Sequence, residues 1–117
     1  MAWLNRTICV FVVAMCGLTS AAEAKLSLKQ VAKRNYECDG GQMVAAIYYS
    51  LSDNSLSFVR LKMGDQTKTL PQVESGSGAR YTDLQQVEWW IKGEAATLSM
   101  DVNNANAPKK ECKSVEE

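Results

Sequence analysis

The chain has 117 residues, thirteen Lys and Arg against thirteen Asp and Glu, and no histidine. That length holds a single small domain, and the charge balance leaves neither a basic stripe for nucleic acid nor a net field to steer a partner from a distance. Without histidine, Ser-His and Cys-His nucleophile arrangements are excluded.

In chain order, residues 1–24 read as a targeting segment. Arg6 supplies a positive start, residues 8–18 form an apolar run too short to span a bilayer comfortably, and Ala22-Glu23-Ala24 provides an A-x-A cleavage site before Lys25. Val13-Ala14-Met15-Cys16 approximates a lipobox, but Met15 is bulky where a small residue is wanted. A soluble periplasmic protein is therefore expected rather than one with a lipid anchor at Cys16, with no stable membrane insertion after cleavage. The expected mature domain is 25–117, 93 residues with twelve charges of each sign. Cleavage removes Cys9 and Cys16 and leaves Cys38 and Cys112, an even pair that reads as a disulfide in a small exported chain. Two thiols without histidine make no zinc site, so neither metal nor cofactor is expected.

Residues 25–33 are ambiguous. Leu26, Leu28 and Val31 fit neither a strand nor a helix period and suggest a loosely held N-terminal arm. Residues 34–38 form a short strand ended by Asp39-Gly40-Gly41. Residues 43–50 are apolar and β-prone, and Asp53-Asn54 turns the chain. Over 56–63 the alternation is clear, with Ser57, Val59, Leu61 and Met63 on one face and Leu56, Phe58, Arg60 and Lys62 on the other. Gly64-Asp65 turns again, 67–70 is short, and Pro71 marks an edge or a break. Ala79–Thr82, 87–92 and 95–101 supply three more strands. Residues 102–108 are a polar loop, 109–112 returns for the disulfide, and Lys113 opens a polar tail. Short strands at roughly ten-residue spacing, with no convincing helix, argue an all-β antiparallel barrel or sandwich.

The stretch 74–93 concentrates the unusual features. Ser75-Gly76-Ser77-Gly78 has little side chain to pack, and a stiff strand rich in aromatic and β-branched residues carries Lys92 near its end. Alternation puts Trp90 on the face of Glu88 and Lys92, with Val87, Trp89 and Ile91 opposite. A solvent-facing Lys92 thus exposes Trp90 unless a bulge or a partner covers it. On the residues alone, a loop leading into a core strand is the simpler reading. A Ser77–Lys92 catalytic dyad is formally open, but nothing suggests the burial a basic lysine needs, and the loop is too glycine-rich to hold a nucleophile. A phosphate nest lacks the P-loop spacing.

Ser75-Gly76-Ser77-Gly78-Ala79-Arg80-Tyr81, followed by Trp90-x-Lys92-Gly93 and Ala96-x-Leu98 and framed by Tyr36-x-Cys38 and Cys112, resembles the signature of bacterial inhibitors of c-type lysozyme. The resemblance implies a small eight-stranded antiparallel β-barrel that is not an enzyme, with c-type lysozyme as partner. It assigns the lysozyme contacts to Ser77 and Lys92. Gly76 and Gly78 would slim the loop for a cleft shaped to a sugar chain, Arg80 would make a structural or rim contact, and Tyr81 a packing one. The connection from Ser77 to Lys92 is a residue longer than the family pattern, within Leu84-Gln85-Gln86, which bears on how the two are placed. The other hypothesis is a small exported ligand-binding barrel whose Ser/Gly loop lines a cavity mouth. Oligomeric state, a homodimer included, is not readable from the sequence.

Overall fold

The computed structural model describes residues 25–115, so the targeting segment and its cleavage site lie outside the described residues. Eight antiparallel strands close into a barrel in sequence order: β1 (Leu28–Cys38), β2 (Gln42–Leu51), β3 (Ser57–Met63), β4 (Gln66–Val73), β5 (Ala79–Thr82), β6 (Glu88–Lys92), β7 (Ala95–Ser99) and β8 (Lys109–Val115). Closure gives each strand two neighbours, although β4 meets β5 only at Gln72 and Val73 and β1 meets β8 only from Asn35 onward.

The period-2 pattern explains the core. In β3, Val59, Leu61 and Met63 are buried while Arg60 and Lys62 face out. Val44, Ala46 and Tyr48 of β2 and Leu98 of β7 join them. Trp89 is fully buried at the centre, edge-on to Tyr36 at 4.9 Å, and its indole N–H donates to the Tyr48 hydroxyl at 3.0 Å. The Tyr36 and Tyr48 hydroxyls are 3.3 Å apart. Burial, then the hydrogen bond with Tyr36, pushes the Tyr48 phenol well above its ordinary value, so it stays a neutral hydrogen-bonding group. These aromatics fill the barrel centre, where a carrier barrel would keep a cavity.

Two local readings change, and one, the edge or break at Pro71, resolves to the edge. The segment 25–33 is largely strand: β1 starts at Leu28 and pairs as far as Leu51 of β2. A register shift between Gln30 and Ala32 leaves Val31 as an extra residue, which moves the side-chain phase by one and erases the alternation. Pro71 does not break β4. It pairs with Phe58 on one side and lies beyond the pairs to β5, which are Gln72 with Tyr81 and Val73 with Arg80. The strand β8 continues through Lys113 to Val115, so the tail begins later than its polarity suggests.

The seam that closes the barrel is short. β1 and β8 pair only over Asn35 to Cys38 and Cys112 to Val115, and the Cys38–Cys112 disulfide bridges one of those four pairs.

Candidate functional site

The loop between β4 and β5 and the end of β6 lie at one end of the barrel, together with the β2–β3 turn. The register of β5 on β6 is unbroken: Ala79 with Ile91, Arg80 with Trp90, Tyr81 with Trp89, Thr82 with Glu88. The β5–β6 connection turns at the opposite end. There the Asp83 carboxylate accepts from the N–H groups of Gln85, Gln86 and Val87 at 2.9, 2.8 and 3.1 Å, and Leu84 takes a positive φ of 60°. Desolvation works to raise the Asp83 carboxyl, but those backbone donors outweigh it and hold it below its ordinary value.

At the Ser/Gly end, the Trp90 indole N–H donates to the Ser77 carbonyl at 2.9 Å, and the Ser75 hydroxyl donates to the Gly78 carbonyl at 3.1 Å. Gly78 has φ +66°, and a Cβ there would collide with the Ile91 carbonyl and come 2.9 Å from Cγ of Lys92. Only glycine lets the loop lie against β6 at this point. Among the described residues the Ser77 hydroxyl has no hydrogen-bond partner.

Trp90 faces out without a bulge, and two cations shield it. The Arg80 guanidinium lies 5.6 Å and the Lys92 ammonium 4.7 Å from its ring. Arg80 is held in turn by Glu88, with Nε and Nη2 both 2.9 Å from Oε2. The Glu88 side chain is only 10% exposed, which makes this pair better shielded than an ordinary surface bridge. Ser77, Gly76, Gly78 and Lys92 are exposed and adjacent. Tyr81 is turned inward, 7% exposed, with its ring 5.6 Å from that of Tyr48.

The sequence model for the membrane-bound lysozyme-inhibitor of c-type lysozyme matches residues 36–107, more than half of the chain. The chain belongs to this family. It is similar to proteins named membrane-bound lysozyme inhibitor of C-type lysozyme from three bacteria. The protein of Pseudomonas aeruginosa is 37% identical over 84 residues, 72% of this chain and 62% of the relative. That of Cupriavidus necator is 39% identical over 72 residues, 60% of this chain and 55% of the relative. For Yersinia enterocolitica the figures are 33% over 67 residues, 57% and 52%. The chain thus spans between half and two thirds of the length of these curated relatives.

Lys92 is solvent-facing, and among the described residues no base or orienting group addresses the Ser77 hydroxyl. The matched stretch contains the whole Ser/Gly loop, the Asp83 turn and β6, and it stops short of β8. Two members of the site were not legible as such in the sequence. Glu88 looked like a strand residue of unspecified role, and Trp90 like a packing problem. The register that puts Arg80 directly opposite Trp90 brings Arg80 over the indole and against the Glu88 carboxylate.

Proposed function

We propose that the chain is an exported, periplasmic inhibitor of c-type lysozyme, which inserts the Ser/Gly loop and Lys92 into the active-site cleft of the enzyme. Retaining glycosidases of this kind work with one protonated and one ionised carboxyl group, about 5–5.5 Å apart. An ammonium gains a charge-assisted contact with the ionised group, and a serine hydroxyl can donate to or accept from the protonated one. Lys92 and Ser77 take these two roles. Gly76 and Gly78 keep the loop narrow, and Arg80 stands at the rim while bracing Trp90.

The observation that carries this reading is that one indole holds both halves of the site: its N–H is bonded to Ser77 and its face carries the Lys92 ammonium. A loop and a cation fixed to the same ring are pre-organised, so less entropy is lost when they enter a cleft. The relatives, named as inhibitors of C-type lysozyme, support the choice of partner. The carrier-barrel reading loses its main support, because Trp89, Tyr36, Leu61 and Leu98 occupy the barrel centre.

A cell-lysis assay with purified mature protein tests the proposal. Lysis by a c-type lysozyme should be suppressed at stoichiometric protein, and lysis by a g-type enzyme should not. Equal lysis by the c-type enzyme with and without the protein sinks it.

A further inference from the structure

Lys92 on β6 pairs with Ala95 on β7, and Ala95 pairs with Lys113 on β8. Directly opposed residues share a face, so the two lysines stand on the outside of the barrel in one row, separated only by a methyl group. Two strand spacings put their backbones about 9–10 Å apart. Between them is an open cleft of about 380 Å³ lined by Lys92, Glu94, Ala95, Lys113 and Ser114. The Ser114 N–H donates to the Glu94 carbonyl at 2.9 Å, which ties β8 to the β6–β7 turn beside this cleft. It therefore sits at the same end of the barrel as Ser77.

The charges are unusual for a cleft this small. Neither ammonium forms an ion pair among the described residues. Glu94 supplies one carboxylate against two cations. Glu37 of β1 flanks Lys113 from the far side of the row, also without an ion pair. Both lysines are exposed, and Ala95 is too small to fill the space between their stems.

We propose that Lys113 is a second partner-facing cation: a carboxylate side chain at the edge of the bound lysozyme cleft sits over Ala95, between Lys92 and Lys113. The proposal rests on the inhibitor reading above and extends its contact surface to a strand outside the family-matched stretch. Two like charges one row apart repel each other in the free protein. An anion over Ala95 offsets that repulsion, gaining a charge-assisted contact with Lys113 and a longer-range attraction to Lys92, whose ammonium stays on the Trp90 face. A carboxylate is the occupant of choice because the cleft offers two ammonium groups and no apolar wall beyond Ala95 and the lysine stems.

The test is the inhibition constant against a c-type lysozyme for Lys113→Ala, Lys113→Glu, Glu94→Gln and Lys109→Ala, with folding checked by thermal melting. Lys109 removes the same charge from the same strand at the opposite end of the barrel, where it pairs with Ser99. Lys113→Ala should weaken inhibition roughly 5- to 30-fold, between the effects of a rim charge and a desolvated one. Lys113→Glu should weaken it further, Glu94→Gln should tighten it, and Lys109→Ala should leave it unchanged. Lys113→Ala should also flatten the salt dependence and be non-additive with Lys92→Ala. Wild-type inhibition by Lys113→Ala and Lys113→Glu, alongside a loss in Lys92→Ala, overturns this proposal and leaves the loop mechanism standing. Equal losses for Lys113→Ala and Lys109→Ala reduce the effect to overall charge and overturn it as well. A loss in Glu94→Gln means that a cation, not a carboxylate, enters the cleft. If the wild-type protein inhibits no c-type lysozyme, both readings fall together.

Discussion

The indole N–H of Trp90 donates a 2.9 Å hydrogen bond to the carbonyl oxygen of Ser77. Thirteen residues separate the two in sequence, and the register of β5 on β6 brings them together. Trp90→Phe keeps the ring face beneath Lys92 and removes only the donor. We expect a stability change within about 0.5–1.5 kcal/mol, because the freed carbonyl reaches water. Amide exchange of the 75–78 loop should speed up and inhibition should weaken. Unchanged loop exchange would show that the indole does not restrain it.

Lys92→Ala should weaken inhibition by about 2–5 kcal/mol, roughly 30-fold to several thousandfold, the usual cost of losing one partner of a desolvated charge contact. Ser77→Ala should cost less, about 0.5–1.5 kcal/mol. Because both address one carboxyl pair, the double variant should depart from the sum of the singles. With no net charge for steering, the Lys92 effect should appear in the dissociation rate. If both variants inhibit like wild type while folded, the loop mechanism is wrong.

The two loop glycines separate folding from function. Gly78→Ala forces a left-handed backbone on a residue with a side chain, about 1–2 kcal/mol by itself, and pushes a methyl into the Ile91 carbonyl. Its melting temperature should fall. Gly76 has nothing within 4 Å of a would-be Cβ and no positive φ, so Gly76→Ala should melt like wild type. Weakened inhibition by Gly76→Ala would then come from the cleft alone. A stable Gly78→Ala protein contradicts the close approach to β6.

The Asp83 turn sets a pH dependence. The folded carboxyl lies below its unfolded value, so its contribution is complete above about pH 3.9, the unfolded pKa, and is lost as the pH falls through the folded pKa. Asp83→Asn keeps an acceptor oxygen but no charge. Its stability should therefore depend less steeply on pH below about 4 than that of the wild type. Identical acid-unfolding curves would mean that the three N–H contacts do not favour the charged form.

Much of the architecture was readable from the alternation of Val59, Leu61 and Met63 with Arg60 and Lys62, and from the turn residues between strands. What failed did so for physical reasons. At Val31 a single extra residue inverts the phase, so a periodicity search sees noise where a strand runs. Pro71, read as an edge or a break, is the former: it pairs with Phe58 on one side and has no β5 partner on the other. For the site, the motif pointed to Ser77 and Lys92, but alternation alone left Trp90 uncovered. Arg80 and Lys92 cover it, and only pairing between strands reveals that. Lys113 was hidden in the same way, since its relation to Lys92 runs through Ala95 across two strand pairs.

Reduction of the disulfide, or Cys112→Ser, should lower stability by about 2–5 kcal/mol. The intact mass of the exported protein should match a start at Lys25 less two protons, whereas a diacylglycerol adduct on Cys16 would make it a lipoprotein. An unchanged melting point after reduction would mean that the four seam pairs suffice without the covalent bond.

Every other strand pair in the barrel joins sequence neighbours and can assemble as the chain emerges, but β1 waits for β8. The cysteines therefore have no native meeting point until the final strand has arrived, and they cross-link durably only where the surroundings are oxidising. Covalent closure at that position acts as a receipt: a chain in a reducing compartment remains unlatched, and a latched one has been both completed and brought into oxidising surroundings.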